Sequence, residues 1–192
     1  MNISIRKSIL GLVAFFLVTL NVIQAQEFNL INGESTLTVL GTSSLHDWHV
    51  TAEKQIGKIS FKNIETGQIE KCSVEIVAES LKSGKSVMDK NTYKALKTST
   101  YKKISFQLAE IKSTTSKGNG IYTISSTGDL TISGTKKHLS LDFTITISDS
   151  KIKLVGEKKI KMTDFKIEPP KALLGTITTG DDITIKFSTI FK

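Results

Sequence analysis

The sequence predicts an all-β domain of antiparallel strands with one short helix, and three observations carry that expectation. Leu139-Ser140-Leu141-Asp142-Phe143-Thr144-Ile145-Thr146-Ile147-Ser148 alternates apolar and polar side chains without a fault, so one face turns inward and the other meets water. The alternating segments are rich in Ile, Val, Thr and Phe, which suit a pleated, half-buried surface. Short polar or glycine-bearing connections separate them: Ser148-Asp149-Ser150-Lys151, Lys117-Gly118-Asn119-Gly120, Gly134-Thr135-Lys136-Lys137 and Gly180-Asp181-Asp182. Many antiparallel strands with short loops build either a sandwich or a closed barrel, and periodicity does not choose between them.

The first 25 residues stand apart. Arg6 and Lys7 precede an apolar run from Ile9 to Leu20, and small Ala25 follows Ile23-Gln24. Charge, apolar run and small residue in that order read as a cleaved secretory signal peptide, which implies export to the periplasm or beyond. The run is shorter than the roughly 20 residues that usually span a bilayer. Residues 26–192 then form one domain, long enough to bury a substantial core, with no linker, repeat or further long apolar stretch.

Along that domain, Ile183–Ser188 and Ile104–Leu108 repeat the alternation, and weaker runs cover Leu37–Leu40, His49–Ala52, Lys58–Lys62, Val74–Ala78, Tyr122–Ser126, Asp129–Ser133 and Lys151–Lys161. One segment changes period: Met88, Thr92, Ala95 and Leu96 recur at helical spacing between Ser86 and Leu96, and Ser86 with Asp89 resembles a capping box. Pro169-Pro170 fixes an extended or irregular path in a structured loop before the last strand.

The chain is basic, with 26 Lys and Arg against 18 Asp and Glu and a formal net charge of +8. The lysines are scattered, which reads as solvated strand faces that discourage edge pairing rather than as a focused field. No motif interleaves aromatic and basic residues in the manner of a nucleic-acid reader, and export argues against such a partner. Transient contact with a membrane surface and pairing into a homodimer stay open. Cys72 is solitary, so no internal disulfide forms, and its alternation with Val74 and Ile76 places it as a small buried hydrophobe.

The chemistry-bearing motifs fail one by one. In a strand, His46 and His49 of His46-Asp47-Trp48-His49 point to opposite faces, so they do not converge on a metal. Trp48 reads instead as a core anchor, with His46 and Asp47 steadying the preceding turn. Ser83-Gly84-Lys85-Ser86 imitates the end of a phosphate loop, but Glu79 occupies the position of the required upstream glycine. No Gly-x-Ser-x-Gly nucleophile turn occurs, and the sequence does not pair Glu75, Glu79, Glu110 or Asp181. The expectation is a protein that is no enzyme and has no metal or cofactor.

Several segments, in order, resemble the YceI-like family: Ser43-Ser44-Leu45-His46-Asp47-Trp48-His49-Val50, then Gly57–Phe61, Met88–Leu96, Tyr101–Phe106, Gly128-Asp129-Leu130-Thr131-Ile132-Ser133-Gly134-Thr135-Lys136-Lys137, and Leu174–Ile185. The chain departs at Tyr101-Lys102, where members often carry Tyr-Pro, and at Pro169-Pro170. The resemblance implies a lipocalin-like antiparallel barrel of about eight strands, export, and an apolar interior that takes an isoprenoid or another long-chain lipid. On that implication Trp48, Phe61, Phe106, Leu141 and Phe143 are wall candidates, while Met88, Tyr93 and Phe165 close an end. The alternative is a non-catalytic stress-related or interaction barrel whose core is filled by side chains.

Overall fold

The computed structural model describes residues 26–172 and 175–192; the expected signal segment and Leu174 lie outside them. Alternation becomes a wall most plainly in strand β8 (Ile121–Ile132), where Tyr122, Ile124, Ser126, Leu130 and Ile132 are buried and the residues between them are more exposed. The inward series continues across its partners β7 (Lys103–Gly118) and β9 (Thr135–Ser148), because antiparallel register sets Ile124 opposite Phe143 and Leu130 opposite Phe106.

The other strands are β1 (Gln26–Asn29), β2 (Thr36–Ser43), β3 (Trp48–Ala52), β4 (Gln55–Asn63), β5 (Gln68–Val77), β6 (Leu81–Lys82), β10 (Lys151–Lys161), β11 (Lys171–Ala172) and β12 (Ile177–Phe191), with one helix, α1 (Ser86–Leu96). All the pairings are antiparallel, along the path β1-β4-β5-β7-β8-β9-β10-β12-β2-β3-β6, and β11 adds to β12 alone. Twelve strands among the described residues exceed the expected eight or so because β1, β6 and β11 are too short to display a period of two. Conversely, the two runs read at Tyr122–Ser126 and Asp129–Ser133 are one strand through Gly128, and Ser133 sits in the following turn with φ +48°.

This sheet curls into a half-barrel of lipocalin-like form. The two flanks of the curl are knitted at one end by residues 29–31. The Asn29 N–H donates to Lys192 O at 2.8 Å and Lys192 returns the bond at 2.9 Å. The Leu30 N–H donates to Gly57 O in β4 at 2.9 Å, and that of Ile31 to Ile190 O in β12 at 2.8 Å. The Asn32 side chain extends the seam, accepting the Gln55 N–H at 2.8 Å and donating to Glu53 O at 2.9 Å. At this end the interior is solid: Ile59, Ile124, Ile145, Ile152 and Phe191, all fully buried, pack with Phe28, Phe61 and Leu154.

Helix α1 lies against the other end. Ser86 and Asp89 do not form the expected capping box: the N-cap is Lys85, without a side-chain cap, and Asp89 turns to Ser83. Its carboxylate accepts the Ser83 N–H at 2.8 Å and the Ser83 hydroxyl at 2.6 Å. These bonds hold the Asp89 carboxyl below its ordinary value, and the nearby Lys82 charge adds to the effect. At the far end Lys97 adopts φ +52°, and the Ser133 hydroxyl donates to Leu96 O at 2.9 Å.

Two outcomes test this account. Phe191→Ala removes a fully buried ring from the solid end and should cost about 3–5 kcal/mol in urea denaturation; a loss below about 1 kcal/mol contradicts the packing described. Asp89→Asn bears on pH. A carboxyl depressed by folding stabilises above its ordinary 3.8 and loses that contribution as pH falls through the lowered native value. The melting temperature of Asp89→Asn should therefore lie below that of the parent at pH 7, with the gap closing below pH 3.8. A gap that stays constant down to pH 3 would show that the carboxylate's charge plays no part.

Candidate functional site

Between the solid end and α1 the half-barrel is hollow. The inward series of β12 records the change with depth: Phe191 and Thr189 are buried, whereas Phe187, Ile185 and Ile183 are only half-buried. Ile104 and Phe106 of β7, Val74 of β5 and Val39 of β2 are half-buried in the same way. They surround a cavity of about 480 Å³, within the roughly 300–1,000 Å³ typical of small-molecule sites. Cys72, Leu108, Phe143 and Leu154, all buried and part of the solid cluster, form its floor. Burial pushes the Cys72 thiol up to about 12, so it stays a neutral wall group rather than a nucleophile.

Of the eight residues singled out from the sequence, five line this cavity: Trp48, Met88, Phe106, Leu141 and Phe143. Each is placed by a local constraint. The Trp48 ring lies over Gly41, where an added Cβ would sit 2.2 Å from the ring, and its Nε1–H donates to Thr42 O at 2.9 Å. Phe106 lies over Gly128 in the same manner, with an added Cβ 2.4 Å from the ring. Gly128 is thus a strand glycine that admits an aromatic ring, which explains its place inside β8. Met88 shares a face of α1 with Thr92 and Ala95, and that face adds to the cavity wall.

The other three lie elsewhere. Phe61 packs into the solid end, edge-on to Phe28 with ring centroids 6.1 Å apart. Tyr93 turns its hydroxyl away from the interior to tie α1 down: it donates to Glu79 O at 2.8 Å and accepts from Lys82 Nζ at 2.5 Å. Phe165 does not close an end either. β9 and β10 stop pairing beyond Phe143 and Gly156, and Phe165 packs with Leu130, Ile132, Ile160, Met162 and Ile167 beside the segments that diverge.

The turn between β2 and β3 also differs from expectation in its chemistry. Ser43, not Asp47, holds it: the Ser43 hydroxyl donates to His46 O at 2.7 Å and accepts the N–H groups of Leu45 and His46. This turn carries Leu45 and His46 to the cavity's open rim, while His49 lies exposed on β3. Leu45 is 66 % exposed and Val87, at the start of α1, is 71 % exposed, and both line the cavity. Sequence periodicity missed them because neither lies in a strand. It also missed Val39, Ile183 and Ile185, which are inward by alternation but not aromatic.

Comparison with solved structures places this architecture. The crystal structure of BcnA from Burkholderia cenocepacia superposes with a TM-score of 0.68 at 17% identity, covering 84% of this chain and 98% of that one. A polyisoprenoid binding domain from Saccharophagus degradans, implicated in plant cell wall breakdown, gives 0.68 at 12% identity, covering 86% and 97%. The YceI protein of Campylobacter jejuni gives 0.58 at 22% identity, covering 72% and 81%. At these identities the likeness is one of fold. No match was found among curated protein sequences. Residues 27–191 match the family model of the YceI-like domain, nearly the whole of the described chain, and the protein therefore belongs to the YceI-like family.

Proposed function

We propose that this protein is an exported, non-catalytic lipid-binding protein that shelters the tail of an isoprenoid or another long-chain lipid inside the half-barrel. The observation that carries the proposal is the hollow itself: Val39, Val74, Ile104, Phe106, Ile183, Ile185 and Phe187 face inward, are apolar, and yet stay partly exposed around the cavity. Apolar surface left open inside a protein is unfavourable to leave wet, and each methylene-sized group buried against it gains about 0.8 kcal/mol. The Saccharophagus degradans relative, described as polyisoprenoid-binding, supports the same ligand class. Charge, apolar run and small residue in the first 25 residues support export. The alternative of a core filled by side chains describes the end around Phe191 well, but not the half around Ile185.

A membrane already shelters a lipid tail, so transfer needs contact with the bilayer. Leu45 and Val87 are suited to that contact, being large, apolar, exposed and at the rim of the cavity. The ligand leaves the bilayer at the point where the cavity opens.

Ile185→Trp fills the hollow with apolar volume. Native mass spectrometry after gentle purification should show a lipid adduct on the parent and about tenfold less on this variant, at similar thermal stability. Equal adducts on both would remove the cavity from the function. Leu45→Asp combined with Val87→Asp should slow lipid transfer between vesicles by about tenfold while leaving the adduct on the purified protein intact; an unchanged transfer rate excludes this rim as the site of exchange.

A further inference from the structure

The cavity is apolar at its floor and carries charge of one sign elsewhere. Lys85, Lys158 and Lys171 line it, together with His46, and among the described residues no Asp or Glu does. Elsewhere some lysines pair with a carboxylate, as in Lys58–Glu27, Lys103–Glu75, Lys151–Glu34 and Lys186–Glu157. Among the described residues the three cavity lysines form no ion pair.

Their placement follows the shape of the site. Lys85 is the N-cap of α1, two residues before Val87, and Lys171 lies in β11 opposite Thr178. Ser44 ties the β2–β3 turn to Thr178 by two bonds, one from its N–H to Thr178 O and one from the Thr178 N–H to its hydroxyl. Lys171 and His46 thereby belong to one stretch of rim. Lys158 interrupts the inward series Ile152, Leu154, Gly156 and Ile160 of β10, at a position that alternation reserves for an apolar side chain. The residue is half-buried, and its ammonium reaches the exposed, neutral hydroxyl of Ser140 at 3.2 Å, at the gap where β9 and β10 part. An ammonium offers three donors, so capacity remains for an anion.

From this arrangement we infer that the ligand is an amphiphile with an anionic head group, a carboxylate or a phosphate, its tail directed toward the Cys72–Phe143 floor and its head held by Lys85, Lys158 and Lys171. The inference rests on the proposed lipid cavity and adds polarity and orientation to it. A floor closed by packed side chains admits the tail first, and the formal charges that the described residues place along the cavity are cationic. Lysine, as a flexible point charge, suits either anion.

Paired probes test it: hexadecanoate against hexadecanol and farnesyl phosphate against farnesol, titrated into the delipidated protein at low salt. Each anion should bind at least about tenfold tighter than its alcohol. That preference should shrink to within about twofold in Lys85→Gln/Lys158→Gln/Lys171→Gln, while alcohol binding and melting temperature hold. Equal binding of anion and alcohol by the parent overturns the anionic head but leaves the cavity; failure of all four probes overturns the cavity as well. Inorganic phosphate at millimolar concentration should not displace farnesyl phosphate; displacement would identify a site for free anions and overturn the amphiphile. A triple variant that keeps the full preference overturns the assignment to these lysines.

Discussion

A curled antiparallel sheet has one apolar face to satisfy, and the number of strands sets how much space that face encloses. In this protein the seam at residues 29–31 fixes the curl at one end, by hydrogen bonds running to both β4 and β12. With the two flanks held at backbone distance there, rings such as Phe28, Phe61 and Phe191 reach across and fill the interior completely. Away from the seam the flanks are spanned by β2, β3 and β6, and side chains of similar size no longer meet. The hollow is therefore a consequence of geometry: the same residue types that pack solidly near Phe191 leave a gap near Ile185.

This explains which parts were legible in the sequence. Period-two alternation reports which face a residue occupies, and on that score Phe61 and Phe106 are equivalent. It carries nothing about depth along the axis, which decides that Phe61 packs in the solid end and Phe106 is cavity wall. Depth comes from register and from the seam, and neither has a sequence period. Tyr93 lies off the cavity for another reason. Helical spacing brought α1 to the right place, but a tyrosine carries a polar handle, and the carbonyl of Glu79 and the ammonium of Lys82 claimed it. The rings that the structure seats at the cavity, Trp48 over Gly41 and Phe106 over Gly128, each rest on a glycine of another strand. The family resemblance supplied the barrel where periodicity had left the sandwich open.

The position of α1 shows how polar contacts are spent around an apolar site. Its inner face contributes Met88, Thr92, Ala95 and Leu96, too few to hold a helix of this length by burial alone. The remaining hold is polar and peripheral: Asp89 to Ser83, Tyr93 to Glu79 and Leu81, Ser133 to Leu96. These groups bond outside the cavity, which keeps unpaired donors and acceptors away from its apolar wall. A helix held this way leaves its cavity-facing side chains free to adapt, and flexible Met88 is suited to that.

Open apolar surface also ties stability to occupancy. A ligand that binds only the folded form stabilises it by about 2.7 kcal/mol at a free concentration a hundred times its dissociation constant. That gain is a large fraction of the 5–15 kcal/mol that typically holds a domain together. The solid end does not share in it, because the cluster around Phe191 is complete without a ligand. Folding and binding are thus divided along the barrel axis. The seam and its packed rings let the sheet form empty, and on the proposed function the half beyond Leu108 and Phe143 would gain its missing contacts from a bound tail. If the whole interior were filled the fold would be more stable and have nowhere to put a ligand. If the seam were hollow too, the empty protein would lack the core that makes it fold.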